Sequence, residues 1–309
     1  MSVQSVLGSL GRDQLGSVLP HEHLVIDYGQ LTGDPAPIDD AVRARCASAL
    51  AELRACGIGT LVDCTPPGYG RHAELLAELS RATGVAIVMS TGSFCEQWAP
   101  QPARVAAANV DQLAEWFVRE LDEGVDGGIR AGVIKAATSQ GEIRPNEDKL
   151  LRAAAWAHRA TGAAIVSHTT AGLGLEQLDL YEAEGADPSR VLVSHVGFEP
   201  EPEPYAIEIA KRGAFVGLDR VGHHHFHPDE HWAGLARALA DAGHLDRILL
   251  SHDSVQRFTG PAEIAAHTFS EPWYLTRGLL PKLTAAGFSD AELRRITVDN
   301  PARWLLGEG

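Results

Sequence analysis

Two histidines stand two residues apart in an apolar run, and their side chains have the type and spacing to bind one metal ion. His21 and His23 lie within Leu19–Ile26, which has the composition of a β-strand. Because successive side chains of a strand alternate between its faces, both imidazoles face the same way and Glu22 faces the other. The pair alone leaves two interpretations open, namely metal binding or two half-buried histidines hydrogen-bonded to neighbours.

Four more residues with metal-binding or proton-transferring side chains stand at the ends of later apolar runs. They are Lys135, His168, His195 and Asp253. A single strand-end histidine is more often a satisfied polar residue than a ligand. Six such residues facing one cavity are much harder to explain structurally. The set therefore predicts a metal centre.

Lys135 differs from the others because an ammonium group is a poor metal ligand. The apolar residues 132–134 before it predict burial, which lowers the pKa of a lysine and frees the neutral amine. A neutral amine can add carbon dioxide to form a carbamate, whose two oxygens could bridge two cations. The alternative is an unmodified lysine paired with Asp253 or Glu22 inside the fold.

The chain contains eight units in which a short apolar strand precedes a helix. The predicted strands are Leu19–Ile26, Thr60–Cys64, Val85–Ser90, Ile129–Lys135, Ala163–His168, Val191–His195, Ala214–Leu218 and Ile248–Asp253. Eight such units predict a (β/α)8 TIM barrel, in which functional residues lie at the carboxyl ends of the strands. An open doubly wound sheet is the alternative, but no GxGxxG turn opens a helix. We expect a single domain over residues 1–309, with a short N-terminal hairpin and C-terminal helices.

Composition and charge exclude several classes of partner. The 309 residues include 26 Lys plus Arg and 41 Asp plus Glu, a formal charge of −15 that disfavours nucleic acid and anionic membranes. No apolar run approaches the roughly 20 residues of a membrane span, and the first ten residues do not resemble a signal peptide. The four cysteines lack CxxC spacing, so we expect free thiols and a cytoplasmic protein.

The metal-binding residue types, in their sequence contexts, resemble a known family. The chain resembles the binuclear-metal phosphotriesterase family of the amidohydrolase superfamily. The residues that carry the resemblance are His21-Glu22-His23, Lys135 in Val133–Ala137, His168 after Ser167, His195 after Ser194 and Asp253 after Ser251-His252. The resemblance covers nearly the whole chain, including 217–220 and 300–303. It implies that His21, His23 and Asp253 bind one metal ion, that His168 and His195 bind a second, and that a carboxylated Lys135 (N6-carboxylysine) and a hydroxide bridge them.

The resemblance also implies a substrate class. Arg220 is similar to the pattern of the phosphotriesterase-like lactonases, whereas the phosphotriesterases carry a histidine there. It therefore implies a hydrolase that opens lactones with the bridging hydroxide as nucleophile and has weak promiscuous phosphotriesterase activity. Asp253 would transfer the proton to the leaving alkoxide. Arg220, Phe94 and Trp273 would contact the substrate, although Trp273 equally fits a helix anchor and Phe94 replaces a tyrosine common in these lactonases.

Other interpretations of the same residues stay open. Phosphotriester or carboxylic ester hydrolysis would use the same centre, and a non-catalytic barrel that binds a small ligand is an alternative of another class. Imidazole, carboxylate and carbamate suit Zn, Mn, Co or Fe alike, and we expect Zn first. The resemblance implies a homodimer.

The remaining histidines are expected to have other roles. We expect a solvated loop at His223–His227, in which one histidine could contact substrate. His252 alternates with Asp253, so it should face the helix layer as a structural residue. No role is assigned to the histidines in helices and other loops, which are His72, His158, His231, His244 and His267.

Overall fold

Runs of β-branched and aliphatic residues form the strands of this protein. The structure, a computed structural model, describes residues 1–170, 172–266, 268–269 and 271–308, so His267 lies outside the described residues. The strands are β1 (Val3–Ser5), β2 (Gly8–Leu10), β3 (Ser17–Asp27), β4 (Ile58–Asp63), β5 (Ala86–Gly92), β6 (Val133–Ala137), β7 (Ala164–His168), β8 (Val191–Ser194), β9 (Phe215–Leu218), β10 (Ile248–Leu250) and β11 (Val255–Thr259).

Nine of these strands form one curled sheet in which all neighbours are parallel. Their order is β10-β9-β8-β7-β6-β5-β4-β3-β11, so β3 to β10 follow the chain order. The two end strands, β10 and β11, are consecutive in the chain, and the segment between them bonds to β3, since the Asp253 amide donates to the His21 carbonyl at 3.1 Å. The two ends of the sheet are therefore brought together. The fold is a (β/α)8 barrel, as the sequence predicts. β1 and β2 form the expected short antiparallel hairpin.

Helices alternate with the strands and cover the outside of the sheet. They are α1 (Arg12–Leu15), α2 (Gly29–Thr32), α3 (Asp40–Ala55), α4 (Ala73–Thr83), α5 (Ala103–Ala107), α6 (Val110–Asp122), α7 (Pro145–Thr161), α8 (Gly174–Ala183), α9 (Pro202–Lys211), α10 (Asp229–Asp241), α11 (Ala262–Ala265), α12 (Leu280–Ala285), α13 (Asp290–Arg294) and α14 (Asn300–Leu306). Single 3₁₀ turns form at 188–190 and 245–247, and π-helical turns at 275–279 and 295–299. None of the described helices is long and apolar enough to cross a membrane.

The helix ends follow local sequence signals. Asp39 begins α3 by accepting a hydrogen bond from the Val42 amide at 2.9 Å, which satisfies one of the free amides of the first turn. α7 begins with Pro145, whose fixed φ suits that position. It ends at Gly162, which takes the left-handed conformation at φ 72°. These signals set the helix lengths and so fix where each chain segment returns to the sheet.

The interior of the barrel is filled by apolar side chains below the carboxyl ends of the strands. Val133 and Val166 belong to a buried cluster that also contains Trp304. Each valine lies two residues before a polar residue of the same strand, Lys135 or His168, so it shares that residue's face. The barrel therefore has a packed base with its polar residues above it.

The sequence placed some strand boundaries incorrectly. β6 starts at Val133 and continues to Ala137, so Lys135 lies inside the strand instead of at its end. β10 ends at Leu250, three residues before Asp253, and β11 follows without having been predicted. Asp253 has a positive φ of 56°, a left-handed conformation that is incompatible with a continuous strand.

Candidate active site

The first histidine pair faces Asp253 at the carboxyl end of the barrel. The Nε2 atoms of His21 and His23 lie 3.7 and 3.2 Å from Oδ1 of Asp253. His21 and His23 are almost fully buried, whereas the Asp253 side chain keeps 16% exposure. Two imidazole nitrogens and one carboxylate oxygen thus converge beside solvent, which is a group that could hold a metal ion.

A second histidine pair lies on the other side of Asp253. His168 Nδ1 and His195 Nε2 are 2.8 Å apart, and His195 Nε2 lies 3.8 Å from the other Asp253 oxygen, Oδ2. The Nζ atom of Lys135 is 2.8 Å from His21 Nε2, between the two pairs in chain order. The structure therefore brings all six predicted metal-site residues together.

One buried carboxylate orients a histidine from each pair. Asp219 is fully buried, and its Oδ2 and Oδ1 accept hydrogen bonds from the Nδ1 atoms of His21 and His195, each at 2.8 Å. Oδ1 also accepts from the His195 amide at 2.8 Å. Burial opposes ionisation of Asp219, but the two histidines hold its pKa far below the usual range. No local pattern in the sequence indicates this role, although Asp219 stands directly before Arg220.

The hydrogen bonds of the second pair fix its tautomers. His195 Nδ1 donates to a carboxylate, so its Nε2 carries a lone pair. Thr170 donates its hydroxyl hydrogen to the Thr138 carbonyl and therefore accepts from His168 Nε2 at 3.0 Å, which leaves a lone pair on His168 Nδ1. Two lone pairs that face each other at 2.8 Å repel unless a cation lies near them.

The first pair also has outer hydrogen-bond partners. His21 Nδ1 donates to Asp219, so its Nε2 carries a lone pair on the side of Asp253. His23 Nδ1 lies 2.8 Å from Thr65 Oγ1. Such outer partners are the ones that hold metal-binding histidines in proteins. The donor set of this structure thus fits divalent cations.

Burial and the neighbouring charges shift the pKa values in this site. Burial, followed by the nearby Lys135, lowers the pKa of His21 to about 4, which favours the neutral form that binds metals. Burial also lowers the pKa of Lys135, which has no exposed surface. No carboxylate of the described residues forms an ion pair with Lys135, so the predicted alternative of a pair with Asp253 or Glu22 is not found.

His195 and Asp253 share an unusual backbone conformation. Their φ values are 63° and 56°, and the one other non-glycine residue with positive φ in the described chain is Asp126. Non-glycine residues in this region are strained and persist where surrounding contacts hold them, often at functional sites. The conformation turns each side chain toward the centre of the barrel mouth, directly after β8 for His195 and three residues after β10 for Asp253.

Arg220 lies at the wall of the cavity above these residues. Its Nε is 3.4 Å from Asp253 Oδ2, and its guanidinium group lies 5.5 and 5.2 Å from the rings of Phe198 and Phe226. Phe94 lines the same cavity, with its ring 5.8 Å from that of His23. Both predicted substrate residues therefore face the candidate site.

Trp273 does not line this cavity in the described part of the chain. It stands in the turn before the π-helical segment 275–279, with its ring 5.6 Å from that of Tyr274. The segment 275–279 is held by the buried His252, because the Leu275 amide donates to His252 Nε2 at 2.8 Å. His252 has the structural position that the sequence predicts, whereas both interpretations of Trp273 stay predictions.

Several cavity residues were missed by the sequence. The cavity has a volume of about 110 Å³, which is room for several water molecules. Its outer wall is mostly apolar and includes Ile26, Tyr28, Trp98, Val255, Phe258 and Ile264. Trp98 is 42% exposed and stands in the loop after β5. A tryptophan in the loop after a barrel strand is a sequence feature that could have indicated a cavity residue.

The histidine-rich loop is only partly solvated. His223 is 3% exposed, lines the cavity, and donates from Nε2 to the His252 carbonyl at 2.7 Å. His224 is half exposed and lies 2.7 Å from the Tyr274 hydroxyl. The expectation of a solvated loop is therefore wrong for His223, because its ring is enclosed by Phe269 and the segment after β10.

A (β/α)8 barrel with histidines, a lysine and a carboxylate at its carboxyl end is the architecture of metal-dependent hydrolases. The model of the "Phosphotriesterase family" matches residues 1–305. A "Phosphotriesterase homology protein" of Mycobacterium tuberculosis is 32% identical, over 98% of this chain and 97% of that protein. The chain therefore belongs to the phosphotriesterase family, and it is a metal-dependent enzyme that hydrolyses ester bonds.

Solved structures agree with this assignment. A structure described as belonging to the molecular engineering of organophosphate hydrolysis activity from a weak promiscuous lactonase template is 34% identical, with a TM-score of 0.90 over 99% of this chain and 100% of that one. The organophosphorus hydrolase from Deinococcus radiodurans is 35% identical, with a TM-score of 0.89 over 99% of this chain and 97% of that one. Both similarities span the whole barrel.

Proposed function

We propose that this protein opens lactones and hydrolyses organophosphate triesters only weakly. One observation carries the proposal, namely that Arg220 and Asp253 meet at 3.4 Å on the wall of a small and mostly apolar cavity. A lactone is neutral and compact, so it suits such a cavity, and its ring-opened product is a carboxylate that suits a guanidinium group. The similarity to a structure built on a lactonase template supports the same substrate class.

The proposal includes two divalent cations, with Zn expected before Mn, Co or Fe. His21, His23 and Asp253 would hold one cation, His168 and His195 would hold the other, and Lys135 carboxylated at Nζ would bridge them. When bound, the cations polarise the ester carbonyl and lower the pKa of the attacking water. The complete burial of Lys135 and the lowering of its pKa support the proposed carbamate, because both favour a neutral amine.

The side chains of the chain itself would move the proton and hold the substrate. Water adds to the ring carbonyl, the ring C–O bond breaks, and a hydroxy acid forms. Asp253 takes the proton of the water and returns it to the leaving alkoxide. Arg220 donates N–H groups to the ester and then to the product carboxylate. The Phe94 ring lies 6.0 Å from Lys135 Nζ and would shield this amine from bulk water.

Two other functions remain as alternatives. Phosphotriester or carboxylic ester hydrolysis would use the same residues, and the Deinococcus organophosphorus hydrolase supports the former. A barrel that binds a small ligand without turnover belongs to another class, but no residue of the expected ligand set is missing.

The deciding experiment is a substrate panel on metal-reconstituted protein. We would compare kcat/KM for lactones of increasing acyl length, a linear carboxylic ester and paraoxon, and measure the metal content of the same sample. Higher kcat/KM for a lactone, with about two ions per chain and loss of turnover on chelation, is expected. Higher kcat/KM for paraoxon would transfer the assignment to phosphotriesters, and binding of a lactone without turnover would support the non-catalytic barrel.

The assembly and location are also proposals. We propose a cytoplasmic homodimer made of single-domain chains over residues 1–309. The four cysteines are unpaired, which suits a reducing compartment. Light scattering of the purified protein tests the dimer, and limited proteolysis tests the single domain.

A further inference from the structure

Glu22 stands between the two histidines of β3 but faces away from them. Its side chain is 1% exposed and lies on the outer face of the strand. The metal-binding interpretation of the His-Glu-His motif uses the two histidines and assigns nothing to the residue between them. A buried carboxylate at this position needs hydrogen-bond donors, and its donors reveal what it does.

Among the described residues, those that donate hydrogen bonds to the Glu22 carboxylate all flank Asp253. Oε1 accepts from Ser251 Oγ at 2.7 Å, from the His252 amide at 2.8 Å and from His252 Nδ1 at 2.9 Å. Oε2 accepts from the Ser254 amide at 2.8 Å and from the Ser254 hydroxyl. The carboxylate therefore holds the chain on both sides of Asp253 without contacting Asp253 itself.

Main-chain bonds align the same segment with the two histidines. The Asp253 amide donates to the His21 carbonyl at 3.1 Å, and the His23 amide donates to the Ser254 carbonyl at 2.8 Å. Asp253 takes its left-handed conformation between these attachments, which turns its carboxylate toward His21 and His23. A strained conformation of this kind persists only where the surroundings enforce it.

We propose that Glu22 is the positioning residue that orients the Asp253 carboxylate toward the metal site. One strand thus carries two ligands on its inner face and, on its outer face, the group that places the third ligand. Glu22 does not touch substrate or metal, and it acts entirely through Asp253. The inference deepens the proposed function and rests on it, because it assumes that Asp253 is a metal ligand.

Glu22→Gln is the informative substitution because it preserves the shape of the side chain. The amide oxygen would remain at the position with three donors, so the amide nitrogen would face the Ser254 N–H and release that end of the segment. We expect the affinity for the first cation to fall by about 10- to 100-fold, as for other outer partners of metal ligands. With cation saturating, kcat should fall while KM for a lactone stays unchanged.

A double-substitution cycle separates positioning from general support of the fold. Asp253→Ala removes the residue through which Glu22 acts, so Glu22→Gln added to it should change Zn²⁺ affinity by less than about twofold. The affinity is measured on the apo full-length protein by competition with a chelator and needs no turnover. Losses that multiply in the double variant would overturn the proposal.

Two further variants cover a failure of Glu22→Gln to fold. Ser254→Ala removes one donor and should weaken Zn²⁺ binding by a smaller factor, again only while Asp253 is present. Glu120→Gln is the matched control, because Glu120 is a buried glutamate on α6 that bonds Arg71 and Trp116 instead of the segment around Asp253. It should lower Tm without changing Zn²⁺ affinity. An equal loss of affinity in the control would show that destabilisation alone explains the effect.

The cycle also distinguishes the inference from the proposed function. If no lactone is turned over, the proposed function fails, but the Zn²⁺ titrations still report whether Glu22 acts through Asp253. If lactones are hydrolysed and the titrations show independent losses, the function stands and the role of Glu22 is refuted.

Discussion

Asp219→Asn tests whether one carboxylate prepares both histidine pairs for metal binding. Asp219 Oδ1 accepts two hydrogen bonds from His195, while Oδ2 accepts one from His21. An asparagine should keep its carbonyl oxygen on the side with two donors and place its NH2 group against His21 Nδ1. Two donors cannot bond each other, so His21 should move its proton to Nε2 and lose the lone pair that faces Asp253.

The structure therefore predicts that Asp219→Asn lowers the affinity for the two cations unequally. Outer partners of metal-binding histidines typically contribute about 10- to 100-fold in affinity, which is about 1.4 to 2.8 kcal/mol. We expect this loss for the cation proposed at His21, His23 and Asp253, and a smaller loss for the cation proposed at His168 and His195. kcat/KM for a lactone should fall with the first cation.

The assay is stepwise Zn²⁺ titration of the apo protein, with metal content measured after each step. Asp229→Asn is a matched control, because Asp229 is also fully buried and bonds Tyr274 and Lys282 instead of a metal-site histidine. Equal losses at both cations would refute the tautomer argument. Parental affinity at both would refute the orienting role of Asp219 altogether.

Three further predictions concern the bridge, the substrate and the stability of the barrel. Lys135→Ala should lose metal and activity together, and a short carboxylate such as acetate should restore part of both; full metal occupancy in this variant would leave Lys135 as a structural lysine. Arg220→Ala should lower kcat/KM for a lactone by roughly ten- to a hundredfold, as expected for a charged hydrogen bond of about 1.5 to 3 kcal/mol, and paraoxon hydrolysis should fall less. Parallel losses on both substrates would remove the main support for lactones. Burial would raise the pKa of Glu120, but Arg71 lowers it below its ordinary value of about 4.3, so the pair should stabilise the fold above that pH and lose the contribution as pH falls through the lower folded value. The Tm difference between the parent and Glu120→Gln should therefore shrink in acid, and a constant difference down to low pH would contradict this assignment.

The sequence predicts the barrel and its six polar residues because both depend on local patterns. The alternation of side chains in β3 is enough to place His21 and His23 on one face, and apolar runs are enough to mark the strands. Lys135 was placed on the correct strand even though β6 extends two residues beyond it, since the cavity side of a strand follows from alternation and not from its end.

The features that were missed depend on contacts between distant parts of the chain. Glu22 bonds residues about 230 positions away, and Asp219 bonds His21 across 198 positions, so no local spacing reveals either partnership. β11 was missed because its pairing with β3 is equally distant. The burial of His223 depends on Phe269, which no pattern in the histidine-rich loop indicates.

The packed base of the barrel closes the cavity from below. Val133, Val166 and Trp304 fill that base among the described residues, so under the proposed function substrate and product would both pass the carboxyl end of the barrel, where Trp98 and Arg220 line the cavity. For lactone opening the product is an anion, which the Arg220 guanidinium group would attract. Slow departure of the hydroxy acid would then limit turnover, and an accumulating product would compete with fresh lactone for the same guanidinium group.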